Sequence, residues 1–75
     1  MKAIYPTDYP LHKIINIRQV IECTGLSRST IYEIMNPKSK YYDETFPKQV
    51  NLTTSRVGWL ASEINDWIEV KIRRR

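Results

Sequence analysis

Gly25 stands between two short apolar patterns, and the spacing around it limits what this chain can fold into more than any other feature. The run is Val20-Ile-Glu-Cys-Thr-Gly-Leu-Ser-Arg-Ser-Thr-Ile-Tyr-Glu-Ile-Met35. Val20 lies five positions before the glycine, Leu26 directly after it, Ile31 six after and Ile34 nine after. Ile31 and Ile34 share one helix face, and Leu26 fills the corner where two helices diverge. A glycine at the end of the first helix suits a left-handed turn, and Ser27 offers a hydroxyl to cap the second. This is the spacing of a helix-turn-helix. On the second helix it leaves Arg28, Ser29, Tyr32, Glu33 and Asn36 exposed, side chains that can reach phosphates and base edges of a DNA duplex. A plain helical hairpin without a ligand would need no such uniformly polar face.

The flanking residues extend the pattern. Asn16 reads as a helix cap, with Gln19 completing a capping box, and Ile15 and Val20 are placed as a hydrophobic staple. The first helix is therefore expected over Ile17–Thr24 and the second over Arg28–Met35. Asn36-Pro37 ends the second, because the residue before proline is pushed out of helical geometry. Ile14 and Ile15 read as a brief strand, and residues 37–45 as a polar loop bearing Tyr41 and Tyr42.

Residues 48–52 and 56–59 alternate as strands joined by Thr53-Thr54-Ser55, which predicts a hairpin. In it Val50 and Leu52 share one face and Val57 and Trp59 point inward, while Lys48, Arg56 and the turn hydroxyls face outward. A last helix begins near Ala61 or Ser62, with Leu60, Ile64, Trp67, Ile68 and Ile72 as its apolar stripe. Glu63 and Asp66 at its start and arginines at its end suit the helix dipole. A hairpin following a helix-turn-helix is a wing. Residues 1–13, with Pro6 and Pro10, are expected as an extended or frayed arm, and residues 14–75 as one domain.

Seventy-five residues supply a single small core, with no room for an enzyme cleft of ordinary volume. Twelve Lys and Arg against eight Asp and Glu give a net charge of +4. From Phe46 onward six basic residues face three acidic ones, so the excess sits towards Arg73-Arg74-Arg75. Such a segment attracts polyanions. The one cysteine, Cys23, excludes an intramolecular disulfide and suits a reducing cytosol. It is expected as a small buried thiol. No secretory signal pattern or membrane span is evident, and a cytoplasmic protein is expected.

No constellation carries catalysis. His12 is the only histidine and lacks partners at metal-ligand spacing, and a nucleophilic triad would have to use it. Two glycines cannot build a phosphate-cradling loop. Neither an enzyme nor a cofactor is expected. Trp59 and Trp67 fall at core positions rather than as stacking platforms, and the Tyr32 ring can cover core while its hydroxyl meets a phosphate.

The chain resembles the AlpA family of short prophage transcriptional regulators, within the MerR-like winged-helix proteins and recombination directionality factors (excisionases). The residues that carry the likeness are Thr24-Gly-Leu-Ser-Arg-Ser-Thr-Ile-Tyr32, Phe46-Pro47, Gly58-Trp59 and Ser62-Glu-Ile-Asn-Asp-Trp-Ile68, in that order and spacing. The resemblance implies a mainly α, MerR/excisionase-like winged helix-turn-helix with a small β-hairpin. It further implies a phage or mobile-element protein that binds double-stranded DNA through the second helix and the wing. Its role would be to regulate transcription, to direct excision for an integrase, or both. Two features depart from the pattern. Ile21 replaces a usually small residue between the helices, and the loop after Asn36 is long. Its tyrosines either extend the DNA contact or pack against the wing, packing being the favoured expectation.

The expected DNA-binding set is Ser27, Arg28, Ser29, Thr30, Tyr32, Glu33 and Asn36 on the helix side. Lys48, Thr54, Ser55 and Arg56 are expected from the wing. The competing reading is a protein-interaction module that captures integrase or a host protein without reading DNA. A partner groove would show apolar anchors on the second helix, where this chain has polar residues. RNA binding would call for solvent-facing aromatics on a sheet. A small footprint makes cooperative self-association on repeated sites a further expectation to test.

Overall fold

The computed structural model describes residues 11–75. The larger part of the expected arm therefore lies outside the described residues. The element order is β1 (Ile14–Ile15), α1 (Ile17–Thr24), α2 (Arg28–Met35), β2 (Val50–Asn51), β3 (Val57–Leu60) and α3 (Ala61–Arg74). The fold is a winged helix-turn-helix, mainly helical with a small sheet.

Local chemistry accounts for the helix ends. The Gln19 N–H donates to Asn16 Oδ1 at 2.9 Å and the Asn16 N–H donates to Gln19 Oε1 at 3.0 Å, a reciprocal capping box. Gly25 ends α1 at φ 73°, in the left-handed region, with its N–H donating to the Ile21 carbonyl at 2.8 Å. The Ser27 hydroxyl accepts from the Thr30 N–H at 3.1 Å and so caps α2.

The hairpin is part of a larger sheet than the sequence suggested. Its strand order is β1-β3-β2, and both pairings are antiparallel. Ile14 faces Leu60 and Ile15 faces Trp59, while Val50 faces Gly58 and Asn51 faces Val57. Gly58 is required by this arrangement. A Cβ there would stand 2.4 Å from Ile14 Cγ2 and 2.8 Å from the Ile15 carbonyl oxygen.

Ile15, Val20, Ile31, Phe46, Trp59 and Ile64 form the core. Leu26, Ile21, Ile34, Met35, Trp67 and Ile68 pack around it half-buried, so both tryptophans take structural positions. Burying these side chains contributes roughly 1.5–3 kcal/mol each for the large aliphatics.

Five expectations need correction. The expected strand 48–52 shrinks to Val50–Asn51, because the Leu52 and Thr53 N–H groups both turn to the Arg56 carbonyl, at 2.9 and 3.2 Å. Leu52 thus belongs to the exposed turn. Val57 is 41% exposed although Trp59, two residues on, is fully buried. Trp59 lies opposite Ile15 under the helices, whereas Val57 pairs with Asn51 at the open end of the ribbon. Leu60 is the last strand residue and occupies the N-cap position of α3, without a capping hydrogen bond, instead of joining its stripe. That stripe ends at Ile68, because Ile72 has run past the core and is exposed. Cys23 is exposed as well. It lines an open groove of about 370 Å³ with Leu26, Ile68 and Ile72, where α3 leaves the flank of α1 uncovered.

Loop 37–45 is polar yet built. The Asp43 N–H donates to the Ile34 carbonyl at 2.8 Å. Its carboxylate accepts from Trp67 Nε1 and from Lys71 Nζ, each at 3.3 Å, and from the N–H and hydroxyl of Thr45. The Thr45 hydrogen bond, helped by the Lys71 charge and the indole, holds the Asp43 carboxyl down at about 2 despite opposing burial. Phe46 then enters the core and meets the Trp67 ring edge-on, centroids 5.0 Å apart.

Candidate nucleic-acid interface

α2 presents the expected polar side as one surface. Arg28, Ser29, Tyr32, Glu33 and Asn36 are all exposed, while Ile31 on the opposite side is fully buried. The geometry follows from helix periodicity, since positions 28 and 32, and 29, 33 and 36, recur at three- and four-residue steps. Arg28 occupies the first turn and makes no ion pair among the described residues. A side chain there points out from the helix N-terminus, the end that base-reading helices direct at a groove.

Not every member of the set is equally available. The Ser27 hydroxyl accepts from the Thr30 N–H and donates to the Thr30 hydroxyl at 2.8 Å, so both hydroxyls build the cap. The Glu33 carboxylate accepts from the Ser39 hydroxyl. The Asn36 side-chain oxygen accepts from the Lys38 N–H at 3.0 Å, which leaves its NH₂ group as the outward donor. Among the described residues Arg28, Ser29 and Tyr32 keep their side chains free of such duties, apart from a 3.3 Å contact between the Ser29 and Ser27 hydroxyls.

The wing members divide. Thr54, Ser55 and Arg56 are exposed at the tip. Thr53 holds the turn, its hydroxyl accepting from the Arg56 N–H at 3.0 Å and the Ser55 N–H at 3.3 Å. Arg56 lies on the side of the wing that meets β1 and the start of α1. It shares a shallow groove with Asn16 and Gln19, the capping residues of α1, because β1 is drawn into the sheet and brings that cap alongside the wing. Lys48 precedes β2 and lies instead near the end of α2, lining a groove with Met35, Pro37 and Tyr42.

Two further cations stand beside this surface. Lys38 and Lys40 are exposed on the loop that leaves α2. The signal for them was the Pro37-Lys-Ser-Lys40 spacing, which reads as an ordinary solvated loop until its anchorage to α2 is known. Tyr41 does not pack away as favoured from sequence, whereas Tyr42, 41% exposed, lines the groove that Lys48 and Gln49 form ahead of β2. Tyr41 is 60% exposed because Asp43 and Phe46, rather than the tyrosines, secure the loop to the core. Among the described residues no group of three or more His, Cys, Asp and Glu is placed to hold a metal, and no helix is long and apolar enough to cross a membrane.

Comparison with known proteins agrees with this architecture. Residues 13–72 match the family described as "Prophage CP4-57 regulatory protein (AlpA)". The chain is similar to the "DNA-binding transcriptional activator AlpA" of Escherichia coli (strain K12), with 43% identity over 61 residues, covering 81% of this chain and 87% of that protein. It is also similar to the "Uncharacterized protein ORF88" of Enterobacteria phage P4, with 35% identity over 68 residues, covering 91% of this chain and 70% of that one. No solved structure gives a significant match. The helix-turn-helix, the wing and α3 as far as Ile72 fall inside the matched span, and the chain belongs to the AlpA family of prophage regulatory proteins.

Proposed function

We propose that this chain is a sequence-specific double-stranded DNA-binding regulator of transcription, acting in the cytoplasm of a cell that carries a prophage or mobile element. The observation that carries the reading is the exposed polar side of a capped α2, with Arg28 in its first turn and no aliphatic side chain among its reading positions, where the one aromatic, Tyr32, ends in a hydroxyl. The name of the Escherichia coli relative, a DNA-binding transcriptional activator, supports it. Arg28 is the main base reader, since a guanidinium can bind guanine O6 and N7 bidentately. Ser29, Tyr32 and Asn36 supply phosphate or base-edge contacts, and Glu33 is restrained by Ser39. Arg56, Thr54 and Ser55 meet the backbone or a narrow minor groove.

The same binding would let the chain direct excision by an integrase, through a bent attachment site and cooperative self-association on repeated sites. A capture module for integrase or a host protein, without DNA, is the alternative that the polar α2 face disfavours.

Electrophoretic mobility against duplex DNA, single-stranded DNA and an unrelated RNA tests the class. A duplex preference is expected. Arg28→Ala should then weaken binding to a mapped site by about 1–3 kcal/mol and flatten the preference between sites. A mutant that keeps its full site preference removes Arg28 from the reading role.

A further inference from the structure

We infer that the loop following α2 is a third DNA-contacting element, beside α2 and the wing, in which Lys38 and Lys40 neutralise duplex phosphates beyond the reach of α2 itself. The inference rests on the duplex-binding reading above and extends it to residues outside the helix and the wing.

The first support is that the loop is fixed to the recognition helix. The Asp43 N–H is bonded to the Ile34 carbonyl, the Ser39 hydroxyl to the Glu33 carboxylate, and the Ser39 N–H to the Asn36 carbonyl at 2.9 Å. From the other side Asp43 is tied to Trp67 and Lys71 of α3. A loop held at both ends carries its charges at defined positions, so binding costs it little ordering entropy.

The second support is the disposition of charge. Of the acidic groups near in sequence, Glu33 is occupied by Ser39 and Asp43 by Thr45, Trp67 and Lys71, while Glu44 is exposed and pairs with neither lysine. Neither Lys38 nor Lys40 forms an ion pair among the described residues. Lys40 instead places its ammonium over the Tyr41 ring, 5.3 Å from the centroid. Tyr41 is itself largely exposed, so the ring supports the cation without burying it. An exposed aromatic holding up an unpaired cation next to a polar reading face contributes nothing to the core. It suits a polyanion that passes the end of α2.

The two cations lie outside the base-reading positions, so their contribution should be independent of sequence. Binding of Lys38→Gln/Lys40→Gln to a mapped duplex site should be measured across a salt series beside Arg28→Ala. The double variant is expected to fall roughly tenfold in affinity at moderate salt on every sequence. Its slope of log affinity against log salt should shrink by about two units, with site preference retained. Tyr41→Ala should lose part of that affinity and Tyr41→Phe should keep it, because the ring and not the hydroxyl supports Lys40. Thermal melts of all these variants should match the parent, since Asp43 and Phe46 hold the loop. A double variant with the parent's affinity and slope, while Arg28→Ala is weakened, overturns the loop contact and leaves the regulator reading standing. A parent chain that does not bind duplex DNA overturns both.

Discussion

The indole N–H of Trp67 donates to the Asp43 carboxylate across 3.3 Å, joining α3 to loop 37–45 through two residues 24 positions apart. Lys71, one helical turn beyond Trp67, reaches the same carboxylate oxygen and also lies over the indole ring, 5.1 Å from its centroid. Phe46, three residues after Asp43, packs on the other part of that indole. This cluster ties the loop between α2 and the wing to α3.

The cluster makes stability depend on acid. The Asp43 carboxyl is held at about 2, below its ordinary 3.8, chiefly by Thr45. A lowered folded-state value stabilises the fold fully above the unfolded value and loses that stabilisation as pH falls from about 4 through about 2. Asp43→Asn should therefore be less stable than the parent at pH 7, by about 1 kcal/mol since Lys71 is partly solvated, and the gap should close towards pH 2. Thermal melts of both proteins over that range check this. A gap that does not narrow with acid would mean that the carboxylate charge is not what matters.

Gly58 is set by the neighbouring strand. Gly58→Ala would drive its Cβ into Ile14 Cγ2 and the Ile15 carbonyl. The carbonyl is backbone and cannot swing aside, so β1 must move off β3 at a cost of about 1–3 kcal/mol. Denaturant unfolding measures the loss, and a neutral result would exclude the β1–β3 pairing.

Ile31 is fully buried on the inner side of α2. Ile31→Ala should cost roughly 2–5 kcal/mol, a large part of the stability of a domain this small. A melt within a degree or two of the parent would show that the helix faces have been reversed.

Arg56 tests the wing. If it neutralises one phosphate, Arg56→Ala should reduce the salt slope by about one unit. Its neighbours are Asn16 and Gln19, so the phosphates it loses in a footprint should differ from those lost with Lys38→Gln/Lys40→Gln. Unchanged slope and affinity would take the wing out of the interface.

The helix-turn-helix was legible in the sequence down to its end residues. Its determinants are local: the Asn16 and Gln19 capping box, the left-handed Gly25, the Ser27 cap, and isoleucines at helical spacing. Each acts over three or four positions, so the chain order itself specifies them. The exposed side of α2 was legible for the same reason. The placement of partners distant in sequence was not. Nothing near Ile14 announces that it will meet Leu60, and nothing near Asp43 that it will accept from Trp67. Those pairings decided that Val57, Ile72 and Cys23 are exposed, that Arg56 joins the cap of α1, and that Tyr41 stands outward. Alternation and helical spacing say which residues share a face. Only the packed fold says how far the cover over that face extends.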